Sequence, residues 1–212
     1  RGEFVQELER RLSKRFKIKN VICVANGSLG LQVTYRALKL KNDVITSPFT
    51  YIASANTLKW ERIKPIFVDV DQHSWNIDTD LILERITKRT SAILPIHTFG
   101  NPCGLLHLNN ISKKYNLKLI YDSSHSFDVK YKNKSILSYG DASVVSFQST
   151  KVFHSIEGGA IFTNNNNLAS KIREIIHFGI NKKSQISEIG TNAKMNEFEA
   201  LVGLCVLDDF EK

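Results

Sequence analysis

The chain has 212 residues, of which 42% are hydrophobic, enough for one substantial domain with a buried core. Lysine and arginine outnumber aspartate and glutamate by 29 to 21, but the basic residues are scattered and fit no zinc-finger or ribonucleoprotein motif. We therefore expect no nucleic-acid partner. A basic nucleic-acid binder is an alternative that rests on the net charge of +8 alone.

The cysteines and the apolar runs bear on where in the cell the protein is found. Cys23, Cys103 and Cys205 are far apart and form no CxxC pair, which argues against a disulfide framework and a structural zinc site. No apolar run is long enough to cross a bilayer. We expect a cytoplasmic protein without a metal site or a membrane segment.

Helix-like and strand-like apolar periods alternate along the chain. The first is a helix over Glu3–Phe16, with Phe4, Leu8, Leu12 and Phe16 predicted on one helical face. Strands are predicted, with helical patterns between most of them, at residues 21–25, 43–47, 64–70, 91–97, 118–124, 141–147 and 158–164. This alternation predicts a three-layer α/β/α fold around a mostly parallel sheet.

The end of the chain combines a polar segment with an apolar one. Residues 180–194 read as a loop, and residues 195–212 read as a strongly amphipathic helix. Little sequence follows that helix, so we expect a partner chain or a further domain to cover its apolar face.

Ligands of such sheets bind beyond the carboxyl ends of the strands, so residues after strands are the candidates for function. The turn ANGSLG at residues 25–30 can cradle a phosphate on the amides of a helix N-terminus, or Ser28 can simply cap that helix. Phe49 and Tyr51 follow the next strand, where an aromatic ring can stack on a planar ligand or pack in the core.

Two later strand ends carry ionisable groups. Asp122 follows one strand and can hold a proton on a heterocyclic nitrogen, or merely cap a turn, with His125 three residues on. Ser146 ends the next strand and precedes Lys151, which can form a Schiff base if it faces a ligand pocket but is otherwise a surface residue. Together, a phosphate cradle, an aromatic ring, an acid and a lysine meet the needs of pyridoxal phosphate (PLP).

Several motifs occur in an order that matches a known family. They are ANGSLGL, SPFTYIASANT, ILPIHTFGNP, YDSSHSF, SFQSTKVFHSIEGG and GTNAKMNEFEALVG. On these motifs the sequence resembles the DegT/DnrJ/EryC1/StrS family of PLP-dependent nucleotide-sugar aminotransferases. The resemblance implies the large domain of a fold-type I PLP-dependent transferase.

The resemblance assigns roles around the cofactor ring. Lys151 matches the catalytic lysine that binds the cofactor covalently, and Asp122 matches the carboxylate paired with the pyridine nitrogen. Tyr51 matches the aromatic residue that stacks on the ring, and His125 stands where relatives have glutamine or histidine. Ser124 departs from the alanine usual in relatives, as does the residue before it, and we expect little effect.

The resemblance also implies a phosphate site shared between two chains. Gly27, Ser28 and Leu29 match the turn that holds the phosphate, and Ser146 matches a second phosphate hydroxyl. Asn192 matches a residue that crosses to the neighbour's phosphate, which implies a homodimer.

The function implied is amino transfer from glutamate to a keto carbon of a nucleotide-linked deoxysugar, with pyridoxamine phosphate as the intermediate cofactor form. The lysine motif is most like that of relatives acting on dTDP-4-keto-6-deoxyglucose, for cell-surface polysaccharide such as O-antigen. A 3-keto or UDP-linked sugar is the near alternative, and an inactive PLP-fold binding or regulatory protein is another. Because relatives continue into a smaller C-terminal domain, we expect residues 1–212 to be the large domain only.

Overall fold

The computed structural model describes residues 2–210. In this part of the chain, seven strands form one sheet: β1 (Asn20–Val24), β2 (Asp43–Thr46), β3 (Lys64–Phe67), β4 (Thr90–Leu94), β5 (Lys118–Asp122), β8 (Ala142–Ser146) and β9 (Gly159–Thr163). Their order is β1-β9-β8-β5-β4-β2-β3. Only β9 runs antiparallel to its neighbours, which confirms the predicted mostly parallel sheet. A separate hairpin joins β6 (Lys130–Tyr131) and β7 (Lys134–Ser135).

Helices cover both faces of the sheet, as the three-layer prediction requires. One face packs against α2 (Gly27–Ala37), α3 (Ile52–Trp60) and α6 (Asn166–Ile175). The other packs against α1 (Glu3–Phe16), α4 (Thr79–Arg85), α5 (Leu105–Lys114) and α7 (Glu197–Phe210). Alternate residues of a strand serve opposite faces: Ile22 and Val24 belong to the first core, and Val21 and Cys23 to the second.

Two strands end earlier than predicted, at points where the backbone no longer forms hydrogen bonds with the neighbouring strand. The strand predicted at 91–97 ends at Leu94, because Pro95 has no N–H to donate. The strand predicted at 64–70 ends at Phe67, and a single bridge from Val70 to Ile77 closes the loop beyond it.

The packing of the two terminal helices adds to what their periodicity predicts. Phe4 is 43% exposed, and Val5 takes its place in the buried face of α1. One face of α7, with Ala200 and Leu207, packs in the core that α1 also enters, whereas Phe198 on α7 is 83% exposed, so the predicted cover of its remaining apolar surface stays a prediction. The Glu197 carboxylate accepts the first amides of α1, from Phe4 at 2.9 Å and Val5 at 3.2 Å. Of the described helices, none has the length and apolarity to cross a membrane.

Candidate active site

A cavity of about 890 Å³ lies at the carboxyl ends of the strands and collects most of the predicted site residues. Its wall includes seven of them: Gly27, Ser28, Tyr51, Asp122, His125, Ser146 and Lys151. Their segments are far apart in sequence, and the parallel sheet brings them together because β5 and β8 end at the same edge. Leu29 and Asn192 do not line this cavity.

The start of α2 forms one wall of the cavity. Asn26 caps the helix: its side chain accepts from the Leu29 amide at 2.8 Å, and its carbonyl accepts from the Gly30 amide at 3.0 Å. The amide of Leu29 is therefore used within the chain, and those of Gly27 and Ser28 precede any intrahelical acceptor. These two amides carry the positive end of the helix dipole and suit an anion.

The glycines in this wall permit close approach of three segments. A Cβ on Gly27 would lie 3.1 Å from the Cβ of Ser146, the last residue of β8. A Cβ on Gly159 would lie 2.9 Å from the Gly27 nitrogen and 2.8 Å from the Val145 carbonyl oxygen. Only a residue without a side chain fits at Gly159, so the glycine pair of the lysine motif sets the position of the α2 N-terminus.

Asp122 ends β5 and is 6% exposed. Ser54 donates its hydroxyl to one carboxylate oxygen at 2.6 Å. Ser124 donates to the other oxygen through its backbone N–H at 3.1 Å and its hydroxyl at 2.7 Å. Three donors on one buried carboxylate satisfy both of its oxygens and fix its orientation. The hydroxyl of Ser124 thus adds a hydrogen bond that an alanine at this position cannot make.

Lys151 lies on the loop between β8 and β9, half-buried and facing the cavity. Across residues 2–210 its side-chain amine has no hydrogen-bond or ion-pair partner. The loop is anchored two residues later by Phe153, which is fully buried and stacks on Phe127 with ring centroids 4.2 Å apart. Ile156 follows at φ 69°, a left-handed conformation that is rare for a β-branched residue and marks local strain.

Two histidines near the cavity differ in charge environment. Partial burial and the positive charge of Lys151 lower the pKa of His125, against a smaller opposing effect of Asp122. His97 lies deeper, fully buried, and its Nδ1 accepts from the Cys103 amide at 3.1 Å. Burial lowers the pKa of His97 to about 3, so this ring is neutral across the physiological range.

The aromatic and interface candidates have distinct placements. Tyr51 is 76% exposed at the cavity wall, so it does not pack in the core, which was the other possibility from sequence. Asn192 is exposed outside the cavity, and its side-chain oxygen accepts from the Lys194 amine at 2.7 Å.

Sequence reasoning identified Phe49 as a candidate but missed Ser54 and the rings of Trp75 and Phe99 near the cavity mouth. Ser54 lies on α3 and reaches Asp122 across 68 positions, supported by a hydroxyl contact with Thr50 at 2.8 Å. Thr50 precedes α3 and Ser54 lies in its first turn, so the sequence offers no clear signal for this contact. Phe99 lines the cavity and is 77% exposed, which no local sequence pattern predicts.

The sheet order, with a lysine and a buried carboxylate near adjoining strand ends, defines an α/β protein whose candidate ligand site lies at this edge of the sheet. More narrowly, the chain belongs to the DegT/DnrJ/EryC1/StrS aminotransferase family, whose sequence model matches residues 1–212.

Individual relatives are enzymes of sugar metabolism. The chain is 40% identical, over 99% of its length, to dTDP-4-amino-4,6-dideoxy-D-glucose transaminase of Shigella dysenteriae, of which it covers 57%. It is 35% identical, over 100% of its length, to UDP-2-acetamido-2-deoxy-3-oxo-D-glucuronate aminotransferase of Pseudomonas aeruginosa, of which it covers 60%. The chain therefore spans a little over half the length of these curated relatives.

Solved structures give the same fold. DesI, crystallised in the presence of its TDP-sugar product, superposes with a TM-score of 0.95 at 34% identity, covering 100% of this chain and 54% of that one. NtdA from Bacillus subtilis, with bound cofactor PMP, superposes with a TM-score of 0.91 at 29% identity, covering 96% of this chain and 47% of that one.

Proposed function

We propose that the protein is a PLP-dependent aminotransferase that moves an amino group from glutamate to a keto carbon of a nucleotide-linked deoxysugar. The observation that carries the proposal is the placement of Lys151, Asp122 and the α2 N-terminus on one cavity wall. Residues 1–212 are then the cofactor-binding large domain.

The residues present fit the cofactor. The anionic Asp122, held by Ser54 and Ser124, suits a protonated pyridine nitrogen. The first amides of α2 suit a phosphate, and the hydroxyls of Ser28 and Ser146 face the same cavity. A Cβ at Gly27 would crowd Ser146 and fill this cradle. When bound, the cofactor supplies an electron sink for the carbon that gains or loses the amino group.

The side chains then have separable tasks. The Lys151 amine would hold the cofactor and, once freed, would move the proton to and from the reacting substrate carbon. Asp122 would pair with a protonated ring nitrogen, and the exposed Tyr51 would offer an aromatic ring for stacking. His125, with its lowered pKa, is neutral near pH 7 and is available as a hydrogen-bond partner without adding charge beside Lys151.

The sugar we propose is dTDP-4-keto-6-deoxyglucose, supported by the Shigella relative and by the TDP-sugar product of the DesI structure. The Pseudomonas relative supports a 3-keto or UDP-linked sugar as the second candidate. A net charge of +8 favours a diphosphate-bearing substrate over a neutral one. The product belongs to cytoplasmic steps of cell-surface polysaccharide synthesis, such as that of O-antigen.

We also infer that the site is shared in a homodimer. Asn192 is exposed and outside the cavity of its own chain, a placement that suits contact with the phosphate bound in a second copy. The loop before it carries Ile186 and Ile189, which are 82% and 81% exposed and would lose water on association.

The test is an amino-transfer assay with purified protein, PLP, glutamate and each of three ketosugars: the dTDP 4-keto, the dTDP 3-keto and a UDP-linked sugar. We expect one amino sugar and one 2-oxoglutarate per turnover, fastest with the dTDP 4-keto sugar. Lys151→Ala is the inactive control. If the protein binds the cofactor but forms no 2-oxoglutarate from glutamate with any of the three sugars, the result would favour the inactive binding or regulatory protein instead.

A further inference from the structure

Three aromatic rings at the mouth of the cavity form a continuous surface, here called the aromatic platform: Phe49, Trp75 and Phe99. The centroids of Phe49 and Trp75 are 5.2 Å apart, and those of Phe49 and Phe99 are 6.1 Å apart. Phe99 lies parallel to His125, 6.2 Å away with an angle of 3° between the ring planes. The platform therefore runs outward from the residues beside Lys151.

The platform rings are exposed even though they touch one another. Phe49, Trp75 and Phe99 are 39%, 52% and 77% exposed. A single exposed aromatic residue needs no explanation, but a contiguous group that continues a cavity wall marks a binding surface. Phe49 and Phe99 line the 890 Å³ cavity, which is near the upper end of the usual range for ligand sites, about 300–1,000 Å³.

The backbone holds two of these rings in an unusual conformation. Trp75 has φ 60° and Phe99 has φ 52°, in the left-handed region that bulky residues rarely adopt. Around Trp75 the turn is fixed by Asp71, whose side chain accepts from the Ser74 amide at 2.7 Å and whose carbonyl accepts from the Trp75 amide at 2.9 Å. Such strain persists where the surrounding structure determines it, and it clusters at ligand sites.

Two side-chain amides, of which one is buried, tie the two loops together. Asn76 is 2% exposed; its side chain accepts from the Thr98 amide at 3.0 Å and donates to the Asn101 carbonyl at 3.1 Å. Asn101 in turn donates its side-chain amide to the Ser74 carbonyl at 3.1 Å. Trp75 and Phe99 therefore lie on adjacent turns that are joined by hydrogen bonds. Because these turns are already ordered, a ligand that stacks on the rings loses little binding free energy to ordering them.

We propose that the aromatic platform binds the base of the nucleoside diphosphate that carries the sugar, an inference that rests on the proposed function. The reacting sugar lies at Lys151, and the diphosphate leads outward to the base at Trp75. Base stacking on aromatic rings tolerates different bases because every base offers a planar face. The platform thus supplies affinity for the nucleotide, and the choice among bases depends on other contacts.

The chain contains only two tryptophans, Trp60 and Trp75, which allows a direct test. The variant Trp60→Phe leaves Trp75 as the sole tryptophan, and we expect dTDP to quench its emission in a saturable titration. Inorganic pyrophosphate, which lacks a base, should leave the emission unchanged. The converse variant, Trp75→Phe, retains Trp60 on α3, 80% exposed, and should show no quenching by dTDP.

Affinity gives the second readout. By calorimetry, Trp75→Ala should weaken dTDP binding roughly ten-fold, the scale of losing one stacked ring, whereas Trp60→Ala should not. Phe99→Ala is the parallel variant on the second loop and should weaken dTDP binding in the same direction. Thermal melting of each variant separates lost stacking from lost folding.

The outcomes that overturn the proposal differ from those that overturn the function. If dTDP binds but neither Trp75 emission nor the Trp75→Ala affinity responds, the base lies elsewhere and the aminotransferase assignment stands. If Trp75 emission is already blue-shifted and shielded from acrylamide without ligand, a second copy covers the platform and the proposal is wrong. If the wild type binds no dTDP yet aminates a sugar without a nucleotide, both the platform and the nucleotide-sugar assignment fail.

Discussion

At the sheet end of the cavity the side chains are buried and hydrogen-bonded, whereas at its outer end they are exposed and largely apolar. Asp122 is 6% exposed and receives three donors from Ser54 and Ser124. Tyr51 and Phe99, which line the same cavity, are 76% and 77% exposed. Within this chain, the carboxylate at the sheet end has hydrogen-bond partners, whereas the aromatic rings at the outer end remain exposed.

This difference indicates which kind of ligand each end of the cavity suits. Three hydrogen bonds to a buried carboxylate fix its orientation and leave it able to accept one more, which suits a small cofactor with a constant structure. Exposed rings on rigid turns suit a larger group that arrives and leaves, because stacking is broad and each contact is weak. Changes at the sheet end should therefore alter cofactor binding and chemistry, and changes at the outer end should alter substrate affinity.

The largest of the effects ranked here is expected from Asp122→Asn. The single oxygen of asparagine can accept the two hydrogen bonds from Ser124, and its NH2 can donate to the Ser54 hydroxyl, but asparagine cannot carry the negative charge. We expect kcat to fall at least roughly a hundred-fold, the scale at which one electrostatic group at a reacting centre contributes. Steady-state kinetics with the preferred ketosugar measure the effect, with melting as the folding control. Activity within a few-fold of wild type would remove Asp122 from the chemistry.

Replacing Gly159 with alanine should damage the phosphate cradle through backbone overlap. The new Cβ would meet the Gly27 nitrogen at 2.9 Å and the Val145 carbonyl at 2.8 Å, so α2 must shift. We expect a loss of about 1–3 kcal/mol in unfolding free energy and weaker PLP binding. Gly104→Ala, where a Cβ meets only Thr79 side-chain atoms at 3.2 Å or beyond and His107 at 4.0 Å, is the matched control. Equal effects of the two variants on PLP affinity would contradict the cradle.

His97 predicts a specific dependence of stability on pH. Its pKa is about 3 in the folded protein and 6.5 in the unfolded chain, so the unfolded chain binds the proton and stability falls as pH drops from about 6.5 towards 3. The slope is about 1.4 kcal/mol per pH unit, or about 2 kcal/mol lost by pH 5. His97→Asn, which keeps an acceptor for the Cys103 amide, should flatten this part of a denaturation series.

The exposed His125 provides the comparison for that series. Its pKa is also lowered, but it sits at the open side of the cavity and its ring is not enclosed. His125→Asn should therefore change the acid limb of the stability profile less than His97→Asn does. The opposite ranking would mean that the buried ring is not the main acid-sensitive group at the sheet end.

The smallest effect is expected from neighbouring serines. Ser124→Ala removes one hydroxyl donor at 2.7 Å from the Asp122 carboxylate, which should weaken PLP binding about five-fold, corresponding to roughly 1 kcal/mol. Ser123→Ala is the control, because the Ser123 hydroxyl is buried without a partner among the described residues. Spectroscopic titration with PLP measures both. A larger effect from Ser123 would show that the hydroxyl of Ser124 does not hold the carboxylate.

The strand-end positions of Lys151, Asp122 and Ser146 follow from sequence, because alternation of strands and helices dictates which residues meet at one edge of the sheet. The partners of those residues do not follow. Ser54 reaches Asp122 from another helix, and only the packing of α3 on the sheet brings them together. Trp75 adopts a left-handed backbone that its side chain does not favour, so no local pattern predicts where the ring points.

The packing of the terminal helices likewise could not be predicted in full from sequence periodicity. Periodicity located both helices, but the buried face of α1 includes Val5 rather than Phe4, and one face of α7 packs in the core that α1 enters. The two helices are nearly two hundred residues apart in the chain, bridged by the Glu197 carboxylate at the first amides of α1. Contacts at that separation depend on the whole sheet, which a pattern of local periods does not describe.

The most direct test of the account is to locate the covalent attachment of the cofactor. The purified protein is mixed with PLP, its visible absorbance is recorded before and after borohydride reduction, and the label is mapped by peptide mass. The account predicts a visible band that disappears on reduction and a label on Lys151, with no band in Lys151→Ala and a normal band in Lys130→Ala. A label on another lysine, or an unchanged band in Lys151→Ala, would contradict it.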